Sequence, residues 1–384
     1  MTNAQKIALR IFQDELSRRD FLKYCGSVAA MLGLSKVFVP EIANAIEKAK
    51  SRPPLIWLHF ASCTGCTESF IQGYYPTADE VILDILSVDY HETIMAAAGK
   101  QAEEARNATM EKYKGKYLVA VEGASLTGAD GNFMRIGGKT GVEIAKEVCA
   151  DAAAVINVGS CSFDGGWVGC NPNPTGATGT QQATQMGAKK FVNLPCCPVH
   201  PKWITATVVN YLLLGRLPEL DNKGRPKFLY GLRIHDICER RAHFDAGEFV
   251  EEFGSEEAKK QYCLYKMGCK GPETYSSCSL DRWNNKANWC IGAGSPCIGC
   301  AQQKWADNGS PFFTRRPGVK IPGFGGVERT ADRIGFTLVG AAAGGIAAHA
   351  IWTSRKKADQ NSEVEEVEEK PKTSKPDKNA EGGE

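Results

Sequence analysis

One stretch decides the fold of this chain: Leu55-Ile56-Trp57-Leu58-His59-Phe60, followed at once by Cys63-Thr64-Gly65-Cys66. A short apolar run that ends at a turn is typical of a buried strand. Three similar runs follow, at residues 117–121, 154–158 and 190–194, and helical patterns lie between them, for example at 101–114 and 141–150. Alternating strands and helices predict an α/β fold with a doubly wound parallel sheet.

Three of the four predicted strands run into cysteines. Cys63 and Cys66 follow the first strand, Cys161 follows the third and Cys197 follows the fourth. Ligands bind at the carboxyl ends of the strands in such sheets, so we expect these thiols to converge. Four thiolates are what an iron–sulfur cube needs, and a tetrahedral zinc needs the same number. Glu122 follows the second strand and should lie beside this set.

The second half of the chain is denser in metal-ligand residues. Eight candidate ligands lie within 66 residues: His235, Cys238, Cys263, Cys269, Cys278, Cys290, Cys297 and Cys300. Eight ligands divide into two four-ligand sites. The segment is rich in Gly, Pro and Trp and has little regular periodicity, so we expect bound cofactors to organise it.

Three kinds of site remain open on spacing alone. Disulfides suit an exported protein, but the fifteen cysteines are odd in number, and disulfides do not explain His235 or the strand-end set. Structural zinc fits four-ligand sites, although three separate zincs would be many for one chain. Iron–sulfur clusters fit the ligand count and would form a chain of redox centres. The spacing favours clusters.

Composition limits the class of protein. The 384 residues suffice for two domains plus appendages, and 43% hydrophobic with 23% charged residues is a globular composition. The net charge of +2 gives no indication of a nucleic-acid partner. Collagen-like, coiled-coil and multi-span membrane proteins are excluded.

The N-terminus has the pattern of an export signal. Ser17-Arg18-Arg19-Asp20-Phe21-Leu22-Lys23 precedes an apolar run over 24–40 and a small-residue cleavage site at Ala43-Asn44-Ala45. The paired arginines are similar to a twin-arginine signal, a route that exports folded proteins, often with a cofactor inside. We predict that residues 1–45 are removed and that the mature chain begins near Ile46.

A second apolar segment lies near the C-terminus. Residues 334–353 carry no charge over 20 positions, enough for a transmembrane helix. Arg355-Lys356-Lys357 follows it, which predicts a cytoplasmic tail and a body on the periplasmic side of the cytoplasmic membrane. His349 is an ionisable group inside this segment and therefore a functional candidate. The Lys/Glu-rich residues 354–384 are expected to be disordered.

Taken together, these residues make the chain resemble the small subunit of a membrane-bound, uptake-type NiFe hydrogenase. The stretches that carry the resemblance are Cys63-Thr-Gly-Cys-Thr-Glu-Ser69, Val158-Gly-Ser-Cys161, Asn171-Pro-Asn-Pro-Thr-Gly176, Arg240-Arg-Ala-His-Phe-Asp-Ala-Gly-Glu248, Tyr262-Cys-Leu-Tyr-Lys-Met-Gly-Cys-Lys-Gly-Pro272 and Pro296-Cys-Ile-Gly-Cys300. The resemblance implies a flavodoxin-like domain over 46–230 with a proximal cluster. It also implies a smaller, irregular iron–sulfur domain over 231–320 with the medial and distal clusters.

The resemblance assigns three ligand sets, residue by residue. They are Cys63, Cys66, Cys161 and Cys197 for a proximal 4Fe–4S cluster; His235, Cys238, Cys263 and Cys269 for a distal 4Fe–4S cluster; and Cys278, Cys297 and Cys300 for the medial cluster. Many members have proline where this chain has Cys290, and their medial cluster is 3Fe–4S. Here Cys290 is expected to be a fourth ligand, giving a medial 4Fe–4S cluster of lower potential; the alternative is a free thiol beside an unchanged 3Fe–4S cluster.

Other positions also depart from the family pattern. Oxygen-tolerant members have two added cysteines where this chain has Gly65 and Gly166, which implies an ordinary proximal cluster and an oxygen-sensitive enzyme. Cys196 replaces the usual glycine and is expected either to perturb the proximal site or to face away from it. Cys149 and Cys170 are expected to be buried free thiols.

The function implied by the resemblance is electron transfer. A separate large subunit would hold the Ni–Fe centre that splits H2, and this chain would pass electrons through the proximal, medial and distal clusters to a membrane cytochrome b and quinone. His235 would make the distal cluster less negative, and His349 would lie near the partner's haem. Glu122 has three candidate roles: proton transfer, cluster tuning or a structural carboxylate. Two alternatives are an iron–sulfur subunit of another exported oxidoreductase and a zinc-stabilised, membrane-anchored binding protein.

Overall fold

The computed structural model describes residues 52–73, 77–82, 86–315 and 327–368, with the isolated positions 26, 29, 39 and 40. Contacts divide the chain into two compact units, Met1–Arg315 and Arg316–Glu384. The boundary predicted between residues 230 and 231 falls inside the first unit. The predicted export signal, residues 1–45, lies outside the described residues apart from the isolated positions.

A five-stranded parallel sheet forms the centre of the first unit, in the order β2-β1-β3-β7-β9. If only these five strands are numbered, from 1 to 5 along the chain, their order in the sheet is 2-1-3-4-5, as in flavodoxin-like folds. Two short antiparallel pairs, β4 with β8 and β5 with β6, flank it. The strands are β1 (Pro54–His59), β2 (Ser87–His91), β3 (Leu118–Glu122), β4 (Ser125–Leu126), β5 (Arg135–Ile136), β6 (Lys139–Thr140), β7 (Ala154–Val158), β8 (Ala177–Thr178) and β9 (Phe191–Leu194). All four strands predicted from apolar runs are confirmed.

The described helices lie between the strands and after the last of them. They are α1 (Gly65–Ile71), α2 (Ala78–Glu80), α3 (Lys100–Lys112), α4 (Gly141–Ala150), α5 (Ser160–Asp164), α6 (Thr180–Thr184), α7 (Pro201–Leu214), α8 (Lys227–Tyr230), α9 (Arg241–Asp245), α10 (Glu256–Lys259), α11 (Cys278–Asp281), α12 (Trp305–Gly309) and α13 (Val327–Glu368). Single 3₁₀ turns lie at Gly128–Gly131, Ala188–Lys190, Ile234–Ile237, Tyr265–Met267 and Gly271–Glu273.

Both faces of the sheet are covered, as parallel sheets require. Successive residues of a strand point to opposite faces. One face carries Leu55, Trp57, Leu118 and Ala120, and the other carries Ile56, Leu58, Val119 and Val121. The first of these two cores also contains Ile234, Leu264, Trp289 and Ile291, from residues 231–315, here called the thiol-rich region. The thiol-rich region therefore shares a core with the sheet.

The second unit contains one long helix, α13, which includes the predicted segment 334–353. The helix continues to Glu368, so the expectation of disorder is wrong for residues 354–368. Their Lys, Arg, Glu, Gln and Ala residues are good helix formers. Among the residues that the structure describes, no helix combines the length and the apolar character that a membrane crossing needs.

Candidate metal-cluster sites

The proximal set lies at the carboxyl edge of the sheet, as the strand ends predict. Cys63 and Cys66 lie at the start of α1, Cys161 lies in α5 after β7, and Cys197 follows β9. The four thiols are close enough to interact electrostatically. A Cβ at Gly159 would lie 2.6 Å from the Cys66 sulfur, so this turn needs glycine to admit the thiol.

Glu122 holds the turn that carries Cys66 in place. Its carboxylate, 1% exposed at the end of β3, accepts hydrogen bonds from the backbone N–H of Cys66 (3.1 Å) and of Thr67 (3.2 Å), from Trp57 Nε1 (3.2 Å) and from the Thr67 hydroxyl. Burial, with the charge of Glu122 second, raises the pKa of the Cys66 thiol. Among the roles left open for Glu122, the contacts support an orienting carboxylate.

The four residues of the predicted distal set line one cavity: His235, Cys238, Cys263 and Cys269. Apolar side chains complete much of the wall: Ile234, Leu264, Pro272 and Ile291. Burial raises the pKa of Cys269 to about 11 and lowers the pKa of His235. The imidazole is therefore neutral at pH 7, which is the form that binds metals.

The polar groups around this cavity fit an anionic occupant. Backbone N–H groups of Arg240 and Gly271 donate to the sulfurs of Cys238 and Cys269, each at 3.4 Å. The Arg240 side chain lines the cavity and is 3% exposed. Its Nη1 donates to Tyr262 O (2.9 Å), but its buried Nε has no partner among the described residues. A cluster with thiolate ligands would place negative charge beside this cation.

The medial set is also brought together. Cys278 and Cys297 are each 8% exposed, and Cys300 is half-buried beside them. The backbone N–H of Gly299 donates to the Cys297 sulfur at 3.4 Å. Cys290 is exposed, and its thiol interacts electrostatically with Cys300 and Cys278, the position expected of a fourth ligand.

Cys196 faces the medial set. Its sulfur lies 3.6 Å from the Cys300 sulfur and also meets Cys278. The hydrogen bond between the two thiols lowers the pKa of Cys300. Of the two expectations for Cys196, the structure supports the second, because this side chain faces away from the proximal set and towards the thiol-rich region.

The donor groups are thiols and one imidazole. All the cysteines that the structure describes are free, so none of them forms a disulfide. No group of three or more His, Cys, Asp or Glu side chains within the described ranges is spaced for a single metal ion. Cys149 is buried as expected (0% exposed), whereas Cys170 is only half-buried, because its loop runs over the surface.

Two residues of these sites were missed from the sequence. Arg240 lies two positions after Cys238, and a cation so close to a ligand was a usable signal. Asp281 accepts from Trp203 Nε1 (2.8 Å), Lys202 Nζ (2.6 Å) and Ser277 Oγ (2.8 Å), and it ends the helix that begins at Cys278. No sequence signal links Asp281 to Trp203, since the contact spans 78 positions.

His349 lies in α13, within the second unit. Its ring is exposed, and the ring centroid lies 6.0 Å from that of Trp352. This contact is local to the helix and assigns no role to the imidazole.

Known families match both halves of the first unit. Residues 230–313 match the family of the C-terminal region of NiFe/NiFeSe hydrogenase small subunits, and residues 63–211 match the family of the NADH ubiquinone oxidoreductase 20 Kd subunit. The second match coincides with the sheet and the proximal set.

Individual relatives cover most of the chain. The quinone-reactive Ni/Fe-hydrogenase small chain of Wolinella succinogenes is 46% identical over 352 residues, covering 90% of this chain and 98% of the relative. The uptake hydrogenase small subunit of Azotobacter vinelandii is 47% identical over 342 residues, covering 89% and 94%. The reduced, active Ni-Fe-Se hydrogenase from Desulfomicrobium baculatum matches with a TM-score of 0.65 at 33% identity, covering 69% of this chain and 100% of that one.

Proposed function

This chain belongs to the small subunits of uptake-type NiFe hydrogenases, which are heterodimeric enzymes, and from this premise we propose that it conducts electrons from H2 oxidation through three iron–sulfur clusters. Small subunits of this family carry iron–sulfur clusters and pair with a large subunit that holds a Ni–Fe centre. Three sites over the described residues have the donor chemistry for this role.

The observation that carries the proposal is the distal cavity. His235 and Cys238 lie in and directly after one 3₁₀ turn, Cys263 and Cys269 come from later segments, and all four line a single space with the buried Arg240. Iron–sulfur clusters bound by such residues supply one-electron transfer. His235 is half-buried, so its imidazole lies at the surface side of the site and suits the exit towards a redox partner.

The chain's own residues tune and hold the sites. Backbone N–H groups directed at thiolate sulfurs raise the potential of a cluster, and the neutral His235 ligand acts in the same direction. Glu122 fixes the turn that carries Cys66 through two backbone N–H groups. A carboxylate that is held by four donors serves as a positioning group.

The medial cluster is proposed to be 4Fe–4S, with Cys278, Cys290, Cys297 and Cys300 as ligands. The Cys290 thiol lies near Cys278 and Cys300, which supports a fourth ligand from this position. Replacement by the family's proline, Cys290→Pro, should produce the sharp EPR signal of an oxidised 3Fe–4S cluster. Cys170→Ala, which removes a half-buried thiol elsewhere, should leave the spectrum unchanged. That 3Fe–4S signal in the unmodified enzyme would contradict the assignment.

The proximal cluster is proposed to be an ordinary 4Fe–4S centre in an oxygen-sensitive enzyme. A Cβ at Gly65 would lie 3.1 Å from the Cys63 sulfur. Gly166 has φ +51°, and a Cβ there would lie 2.8 Å from the Cys161 backbone N. Both positions are therefore tight for an added thiol without a shift of the surrounding chain.

Export and membrane attachment are also proposed. The twin-arginine motif and the uncharged segment 334–353 support a body on the periplasmic side and a tail in the cytoplasm. A relative described as quinone-reactive supports a cytochrome b partner that reduces quinone, with His349 near its haem and lipid around the segment. Protease added to intact spheroplasts should degrade the body and spare an epitope on the tail; the reverse pattern would contradict this orientation.

Low-temperature EPR of the purified complex, as isolated and after H2 reduction, tests the whole proposal. Metal and sulfide analysis accompanies it on the same sample. We expect nickel, about 13 iron atoms if all three clusters are cubanes and the Ni–Fe centre adds one, and cubane signals that H2 makes visible. Zinc without iron would overturn the proposal, and iron without nickel would favour another exported oxidoreductase.

A further inference from the structure

Cys196 and Cys197 are neighbours in sequence, but their thiols lie in different sites. Cys197 interacts with Cys300 and with Cys161 and Cys63 of the proximal set. Cys196 is 3% exposed, and its sulfur lies 3.6 Å from that of Cys300 in the medial set. One peptide bond therefore links the two sites.

The medial site does not need Cys196 as a ligand. Cys278, Cys290, Cys297 and Cys300 already supply the four thiolates of a cubane. A cysteine bound to iron has lost its proton, so a loaded site leaves Cys196 as the thiol that still carries S–H in this contact. The S–H group can then donate to the Cys300 sulfur.

Other contacts fix the geometry of this donor. Ser160 holds both partners, because its backbone N–H donates to Cys196 O (3.0 Å) and its hydroxyl donates to Cys300 O (2.6 Å). The Cys197 backbone also hydrogen-bonds the Cys300 thiol. The Cys300 sulfur thus receives two donors from the dipeptide that also carries a proximal ligand.

We propose that the Cys196 thiol donates a hydrogen bond to the Cys300 thiolate and thereby raises the reduction potential of the medial cluster, favouring electron transfer from the proximal to the medial site. The inference rests on the proposed function, because it requires clusters at both sites. Hydrogen bonds to cluster sulfurs are one of the means by which proteins set potentials.

An EPR-monitored redox titration of the purified heterodimer tests this role. Cys196→Ala removes the donor and should lower the proximal-to-medial equilibrium constant about tenfold, about 59 mV for a one-electron couple. Cys196→Ser restores a hydroxyl donor and should recover at least half of this shift. Cys149→Ala removes a buried thiol from the other core and should leave the medial potential unchanged.

The outcomes separate this inference from the proposed function. If the unmodified enzyme lacks iron, the proposed function fails and the inference fails with it. If iron is present but Cys196→Ala shifts the medial potential no more than Cys149→Ala does, the inference alone is wrong. If Cys196→Ala changes the medial cluster type or its iron content, Cys196 is a ligand, and the hydrogen-bond role is overturned.

Discussion

The sheet region, residues 52–230, and the thiol-rich region, residues 231–315, hold their sites in opposite ways. In the sheet region, parallel strands with two apolar faces fix where each strand ends, and the strand ends fix the positions of the cysteines that follow them. In the thiol-rich region, the longest helices that the structure describes have five residues, and chain pairing is limited to isolated bridges. The core positions the ligands in one region, whereas in the other we propose that bound cofactors position the chain.

The two regions are nevertheless joined. Trp203, fully buried in α7, donates to Asp281 in the thiol-rich region, and Ser160 after β7 donates to Cys300 O. Ile234 and Leu264 lie in the same core as Trp57. We therefore expect the stability of the two regions to depend on bound cofactors to different degrees, although both regions belong to one compact unit.

Cofactor removal should have the largest effect. Anaerobic iron chelation should accelerate amide hydrogen exchange in the thiol-rich region about a thousandfold, about 4 kcal/mol, because the contacts across its cavities would be lost. Exchange in β1, β3 and β7 should change less than tenfold. Hydrogen exchange with mass spectrometry on the heterodimer measures both. A uniform loss of protection would mean that the two regions do not differ in this way.

Asp281 is the buried link between the regions, and its loss should have the next largest effect. Asp281→Ala leaves Lys202 Nζ and Trp203 Nε1 without their acceptor, which should destabilise the protein by about 3 kcal/mol. Asp245→Ala breaks an exposed pair with Arg241 and should cost no more than about 0.5 kcal/mol. Urea unfolding of the holoenzyme compares the two variants. Equal costs would contradict a linking role for Asp281.

The contribution of the Asp281 carboxylate to stability should depend on pH. Burial alone would raise the pKa of Asp281, but hydrogen bonds from Lys202 and Trp203 outweigh it and lower the pKa. The stabilising contribution is therefore complete above the unfolded value, about 3.9, and is lost as the pH falls through the folded value. Asp281→Ala should abolish this part of the acid unfolding profile.

The contrast also explains what the sequence could predict. Continuous apolar runs revealed β1, β3, β7 and β9, because buried parallel strands are apolar on both faces. The strand β2 was missed, because Ser87-Val88-Asp89-Tyr90-His91 alternates in polarity at the edge of the sheet. Spacing predicted eight ligands in the thiol-rich region, and the four that the resemblance assigns to the distal set line one cavity.

The direction in which a side chain points could not be predicted from the sequence. Whether Cys196 faces the proximal or the medial set depends on packing between residues about a hundred positions apart, with a separation of 104 for Cys300. The role of Arg240 was also not predictable, because it depends on a cavity that residues from several segments of the chain enclose.

Glu122 should contribute less than Asp281. Glu122→Gln removes the charge and turns an amide N–H towards Trp57 Nε1 and the Thr67 hydroxyl, so about 2 kcal/mol should be lost. Glu147→Gln, an exposed residue paired with Lys139, should cost no more than about 0.5 kcal/mol. Thermal unfolding gives the cost, and EPR should report the perturbation at the proximal cluster alone. A change at the distal signal would contradict the assignment of Glu122 to the proximal set.

Two helix caps, one in each region, give the smallest and most direct comparison. Thr140 Oγ1 accepts from Glu143 N (3.2 Å) at the start of the ten-residue α4, which packs on the sheet. Ser255 Oγ accepts from Ala258 N at the same distance, but α10 has four residues and none is buried. Thr140→Ala should cost about 1 kcal/mol, and Ser255→Ala about 0.3 kcal/mol. Thr140 Oγ1 also donates to Glu143 Oε2 (2.9 Å) in a capping box, so the difference would come from this box and from the elements that the two residues begin. Global urea unfolding measures the free-energy cost of each substitution. Equal costs would mean that local helix formation stabilises the two regions equally. The proposed greater dependence of the thiol-rich region on its cofactors would then be contradicted.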